Sequence, residues 1–277
     1  MTGKRTNGDK TLGNVDETIS AVPGEWRFNE EVSQAFDSHV RKSVPFYDEI
    51  QRMVVELSEY FVGDGSMVYD LGSSTGETLY RLADYHSGKE NLQLTGVEVS
   101  EAMIEEARRK VQAPSVGFRH NNILDVELSP APDLVTSVFT LQFLRLAERR
   151  RLLRRLAESL VEGGALILLE KTRGDSPAFE DMWTELYWDF KRRQGLSPEE
   201  VLEKASSLRG VLNPLTMEEN MALLQQSGFS RVEPFFKWYN WAGFLAVKNH
   251  SLAAPAGGVA GPEPERPGHP PAEGDRG

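Results

Sequence analysis

The 277-residue chain contains no cysteine. Its absence excludes disulfides, thiolate metal sites and a cysteine nucleophile. No apolar run reaches the length needed to cross a bilayer, and the opening M-T-G-K-R-T-N-G-D-K lacks the apolar core of a secretory signal. A cytoplasmic location is therefore the expectation. Positive charge is also in deficit: 31 basic against 42 acidic residues leave a formal charge of −11. That balance disfavours a broad phosphate-binding surface. The expected partner is a small-molecule substrate, with neither a stable nucleic-acid complex nor a membrane, and a homodimer is left open. No H-x-x-x-H pattern or carboxylate cluster asks for a metal. What remains, 39% hydrophobic residues and a mean hydropathy of −0.42, fits a soluble globular α/β chain.

The most informative stretch is Met67-Val-Tyr-Asp-Leu-Gly-Ser-Ser-Thr-Gly-Glu-Thr78. A short β-branched and aromatic run reaches Asp70, then a Gly-containing turn, then residues that can continue as a helix. Gly72 and Gly76 would let backbone approach a ligand, and free N–H groups at the helix start would face the same place. Asp70 could orient the loop or receive an ammonium group. The full G-x-G-x-x-G spacing is missing, which argues against a dinucleotide. A second strand is expected over Leu92 to Val99, with Glu98 at its end, where a carboxylate can accept protons from ribose hydroxyls. An ordinary α/β turn with two solvated acids remains the alternative on these residues alone.

Together, V-Y-D-L-G-S-S-T-G, G-V-E-V-S-E-A-M-I-E-E-A, F-T-L-Q-F-L and E-G-G-A-L-I-L-L-E-K resemble the class I S-adenosylmethionine-dependent methyltransferase superfamily. Within it they are most similar to the carboxy-S-adenosylmethionine synthase family. The resemblance runs from about Trp26 to Lys248 and includes K-S-V-P-F-Y. It implies a Rossmann-like α/β fold with a mostly parallel seven-stranded sheet, a helical N-terminal cap and a helical insertion. The implied cofactor is S-adenosyl-L-methionine. Its expected contacts are Asp70, Gly72, Ser73, Gly76, Glu98 and Val99, with Asn122 and Ile123 at the adenine and Phe139 on the methionyl part. Ser73 stands where the family tends to carry Cys. Arg41 and Tyr47 become pocket candidates from the leading region, against a plainer reading of a packed tyrosine and a solvated arginine.

Residues 1–24 are expected to be flexible, 25–250 to form the domain with its cap and insertion, and the Pro/Gly-rich 251–277 to be a disordered tail. Arg145 to Leu160 reads as an amphipathic crossover helix with Arg149, Arg150, Arg151, Arg154 and Arg155 on a solvated face. Phe179 to Arg193 and Pro198 to Lys204 are the insertion helices. The aromatics of the first, Trp183, Tyr187, Trp188 and Phe190, are candidates for a water-excluding lid or for plain helix core.

Alkyl transfer from a sulfonium needs no covalent nucleophile, so Tyr47, Gln142, Tyr187 and Arg209 are the candidate reaction-pocket groups. Methyl transfer to a small metabolite is the leading expectation. Intramolecular cyclisation to azetidine-2-carboxylate and methylthioadenosine, carboxy transfer from prephenate, and a noncatalytic cofactor binder are the alternatives. Carboxy transfer is set back because the family's basic residue falls at Ala205, with Lys204 before it and Arg209 after.

Overall fold

The structure, a computed structural model, describes residues 14–15, 19–20 and 30–249. Apart from a short antiparallel pair at Asn14–Val15 and Ile19–Ser20, the expectations for residues 1–24 and 251–277 lie outside the described residues. Two helices lead, α1 (Glu30–Ser43) and α2 (Tyr47–Ser58), joined through Phe46 in a left-handed conformation at φ 56°. The sheet strands follow as β1 (Met67–Leu71), β2 (Gln93–Glu98), β3 (Val116–His120), β4 (Leu134–Val138), β5 (Ala165–Lys171), β6 (Arg231–Trp238) and β7 (Trp241–Val247). Between them run α3 (Glu77–Tyr85), α4 (Glu101–Lys110), α5 (Leu146–Ser159), α6 (Pro177–Arg193), α7 (Pro198–Ser207) and α8 (Met217–Gln226).

All five residues of β1 are buried, as are the first six of β5. A central parallel strand covered by helices on both faces reads as a continuous apolar run, which explains why these segments lack alternation. The strand order is β3-β2-β1-β4-β5-β7-β6, parallel except for β7, which is antiparallel to both β5 and β6. This is the mostly parallel seven-stranded α/β sheet expected from the sequence. Leu166 and Leu168 face a core with Leu152, Leu156 and Leu223; Ile167 and Leu169 face the other, with Ile50 and Leu82. The connections leave β1 toward β2 on one side and β4 on the other, creating the crevice at the strand carboxyl ends where open α/β sheets take ligands. Among the described residues, no helix is long and apolar enough to cross a membrane.

Helix starts follow side-chain chemistry. Ser100 caps α4 as expected, accepting from Met103 N, while Ser197 with Glu200 and Thr216 with Glu219 form reciprocal capping boxes on α7 and α8.

One expectation for α5 is corrected. Arg150, Arg151 and Arg154 are exposed, but Arg149 is 1% exposed and Arg155 is half-buried. Arg155 donates to Ile123 O and Leu124 O, bracing the turn after β3. Arg149 lies 3.7 Å from the equally buried Glu170. The physical reason is helical phase: 149, 152, 153 and 156 share one face, and the three leucines on it are core.

Candidate active site

The carboxyl ends of β1, β2, β4 and β5 open into a cavity of about 640 Å³, walled by α1, α2, α6, α7 and the loop after α7. That size suits a ligand pocket.

At its floor, the loop between β1 and α3 has two glycines in the left-handed region, Gly72 (φ 77°) and Gly76 (φ 78°). A Cβ on Gly72 would lie 2.3 Å from Thr140 Oγ1, and one on Gly76 would press on Val111, Ala107 and Phe118 at 3.1–3.2 Å. The glycines are thus demanded by protein neighbours, not by ligand approach alone, and Gly76 does not line the cavity. Ser73 does; it is 4% exposed and its Oγ has no hydrogen-bond partner among the described residues.

Glu98 ends β2 with 8% exposure at the cavity wall. Its Oε1 accepts from Val99 N (2.9 Å) and Ser100 N (3.0 Å), and its Oε2 from Ser74 N (3.0 Å). The carboxylate therefore already organises two loops. Of its roughly four acceptor positions, the one left open is on Oε2.

Asp70 lies beneath this floor and does not reach the cavity. Thr136 Oγ1 donates to it over 2.7 Å. Burial pushes its carboxyl up to about 7, the Thr136 bond opposing and the charge of Glu98 adding. Its side chain is thus engaged with Thr136 at the end of β1.

Beyond Glu98, Val99 is 63% exposed at the cavity edge and Ile123 supplies a second apolar wall. Asn122 lines the cavity between them in sequence, and its Oδ1 accepts from Leu124 N (2.9 Å), an Asx turn. Both readings of Asn122, turn residue and pocket residue, thus meet in one side chain. Phe139 leaves β4 at φ 60° and meets the Trp241 ring edge-on at 5.0 Å. Gln142 is buried; its Oε1 accepts from Lys171 N (2.8 Å), which leaves Nε2 as the donor for the cavity.

The leading helices divide. Tyr47 is buried and lines the cavity, with its phenol raised above the ordinary range by burial and by Glu77. Arg41 lies outside the cavity, in ion pairs with Asp48 and Glu77 at 3.2 Å each, and its guanidinium stands 5.6 Å from the Tyr47 ring. Two acids on neighbouring helices hold it there, so it touches the pocket only through Tyr47.

Of the insertion aromatics, Tyr187 and Trp188 line the cavity. Trp183 instead stacks between Phe179 and Tyr239 at 5.6 and 5.0 Å, and Phe190 packs on Trp238. Of the three β6–β7 aromatics Trp238, Tyr239 and Trp241, only Trp241 lines the cavity; its Nε1 is buried without a hydrogen-bond partner among the described residues.

The sequence reading missed basic groups that share the cavity with Glu98. Lys171 at the end of β5 and Lys191 on α6 flank the Tyr187 ring at 5.1 and 4.6 Å, and both line the cavity. Neither closes an ion pair with a carboxylate among the described residues. Burial, with the charge of Lys171, pushes the Lys191 amine down to about 7; burial lowers Lys171 too, Glu180 opposing. From α7, Lys204 is buried in the same wall, meeting His39 Nε2 and donating to Ser43 Oγ over 2.7 Å. Arg209 lines the cavity from an exposed position. The missed signal is spacing: Tyr187 and Lys191 lie four apart on α6 and are its buried residues.

A Gly-containing loop after β1, a carboxylate ending β2 and a ligand cavity at the switch point define a nucleoside-binding α/β enzyme scaffold. A family described as "Methyltransferase domain" matches residues 68–164. The chain is 36% identical over 227 residues to a carboxy-S-adenosyl-L-methionine synthase of Staphylococcus epidermidis, covering 82% of this chain and 98% of that one. It is 38% identical over 225 residues to the synthase of the same name from Methylococcus capsulatus, covering 80% and 93%. In fold it is similar to an O-methyltransferase family protein from Burkholderia thailandensis (TM-score 0.57, 19% identity, 80% of this chain and 60% of that one). The likeness extends to human N-acetylserotonin methyltransferase (TM-score 0.54, 16% identity, 80% and 56%). The chain belongs to the carboxy-S-adenosyl-L-methionine synthase family, within the class I S-adenosylmethionine-dependent methyltransferase superfamily. It is an S-adenosylmethionine-using enzyme.

Proposed function

We propose that this enzyme synthesises carboxy-S-adenosylmethionine, taking the carboxylate from a second, acidic ligand, prephenate in the resembled family. The observation that carries the reading is the pair of cavity lysines, Lys171 and Lys191, that close no ion pair among the described residues. Desolvated cations are costly unless an anion completes them. Lys204, buried one residue before Ala205, lines the same cavity and is engaged there by His39 and Ser43. The relatives named above point the same way, so methyl transfer to a small metabolite moves behind this reading.

The residues fit S-adenosylmethionine: Glu98 for the ribose, Val99, Asn122 and Ile123 for the adenine, Ser73 Oγ and Gln142 Nε2 as open polar groups, Phe139 and Tyr47 along the apolar wall. When bound it supplies a sulfonium-activated methyl carbon. The protein's own part is positional and electrostatic: the lysines hold the acid's carboxylates, the insertion rings exclude water, and the cap closes over both. A cytoplasmic enzyme with small-molecule partners belongs to the same reading.

The test is product analysis by mass spectrometry of the purified protein with S-adenosylmethionine, with and without prephenate and cell extract. Carboxy-S-adenosylmethionine appearing only with prephenate is expected. Adenosylhomocysteine would return the assignment to methyl transfer and methylthioadenosine would move it to cyclisation. No product at all, with the cofactor bound, would make this a noncatalytic binder.

A further inference from the structure

Outside the cavity, Arg149 and Glu170 form a fully buried charged pair, at 1% and 0% exposure with Nη2 and Oε2 3.7 Å apart. Arg149 Nε and Nη1 and both Glu170 oxygens close no hydrogen bond among the described residues. Burial pulls the Arg149 guanidinium below its ordinary range and pushes the Glu170 carboxyl up to about 8, each being the other's counter-charge. A pair of apolar side chains would fill this space at lower cost, so packing alone does not account for the charges.

What they provide is directed contact. Arg149 Nη2 donates to Asn213 O over 3.0 Å, and Asn213 N donates to Gln142 O over 2.8 Å. The Leu141 and Gln142 amides face Glu170 and favour its charged form, short of hydrogen-bond geometry. Lys171, next to Glu170, donates its N–H to Gln142 Oε1. The contacts close a ring: Glu170, Gln142, Asn213, Arg149 and back to Glu170. Asn213 belongs to the irregular segment between α7 and α8, and Arg209, Leu212 and Pro214 of that stretch line the cavity.

We propose that Arg149 and Glu170 are positioning residues: Arg149, with Glu170 as its counter-charge, grips the Asn213 peptide and fixes the Arg209–Pro214 wall against Gln142 and Lys171 on the acidic ligand's side of the cavity. The kinetic part of this inference rests on the carboxy-transfer reading; the structural part does not. The ring sets the spacing between the basic groups that hold the acid and leaves the Glu98 wall untouched.

The test compares the full-length protein with Arg149→Met and with the double variant Arg149→Met/Glu170→Met, which removes both charges and leaves none orphaned. Arg149→Met alone is expected to lower the melting temperature. The double variant is expected to recover it while the KM for prephenate stays at least about tenfold raised, S-adenosylmethionine affinity stays within about twofold, and amides 211–216 exchange faster than in wild type. Arg149→Lys, keeping the charge and one donor, should rescue KM in part. A double variant with wild-type KM and wild-type exchange would overturn the inference and reduce the pair to a folding contact. If the single variant does not fold, the double variant decides. If wild type makes no carboxy product, the functional reading fails by itself, and the exchange of amides 211–216 still judges the ring.

Discussion

The Tyr187 hydroxyl donates to Ser43 O over 2.8 Å, tying the insertion helix α6 to the last turn of the cap helix α1. The phenol proton is therefore committed, and burial holds it above its ordinary titration range. The sequence made Tyr187 a candidate reaction-pocket group; the geometry places it in the cavity wall, joined to Ser43 and with its ring between two lysines.

Tyr187→Phe is accordingly expected to cost about 1 kcal/mol of stability, the usual net worth of a hydrogen bond. Turnover should stay close to wild type, with an unchanged pH profile. A melt beside steady-state kinetics checks both; a large kcat loss in a variant of wild-type stability would return Tyr187 to the chemistry.

Glu98→Ala should weaken S-adenosylmethionine binding by about 1 to 3 kcal/mol, the scale for charge-assisted hydrogen bonds. Because Glu98 also accepts from Ser74, Val99 and Ser100 amides, a lower melting temperature should accompany the loss. Glu98→Gln places a donor among those N–H groups and should not rescue binding. Unchanged affinity by calorimetry in a folded Glu98→Ala protein would remove the ribose role.

Gly72→Ala combines a left-handed φ of 77° with a contact 2.3 Å from Thr140 Oγ1. It should destabilise by about 2 to 4 kcal/mol, overpacking and left-handed strain together. Pairing it with Thr140→Gly removes the clash and leaves the backbone strain, so about half of the lost stability should return in denaturant titration.

Lys191 carries a pH dependence whose sign is fixed. Below about 7 its amine is charged and attracts a carboxylate; as pH rises through that value the charge is lost and affinity for the acidic ligand falls. A bound anion raises the amine's pKa, so the midpoint in the complex lies higher. Calorimetry with prephenate from about pH 6 to about pH 9 should show this decline, and Lys191→Met should flatten it while lowering affinity at the acid end. An identical decline in Lys191→Met would assign the titration to another group.

The sequence by itself determined the sheet, the loop after β1, Glu98 at the end of β2, the Ser100 cap and the insertion. These are short-range signals: a strand buried on both faces must be apolar throughout, a left-handed turn calls for glycine, and a helix start calls for a side-chain acceptor. Arg149 was partly legible, since 149, 152, 153 and 156 form one helical stripe, yet its place within R-R-R made it read as solvated. Only the tertiary structure decided that Lys171, Lys191 and Lys204, from a strand and two helices, face one cavity, and that Arg41 and Asp70 do not. It also decided that Gly72 serves Thr140, that Tyr187 is held by Ser43, and that Asn213 is gripped from two sides. The physical reason is range: periodicity and turn chemistry act within a few residues, whereas the convergence of side chains depends on how distant elements pack, and 144 positions separate Tyr187 from Ser43.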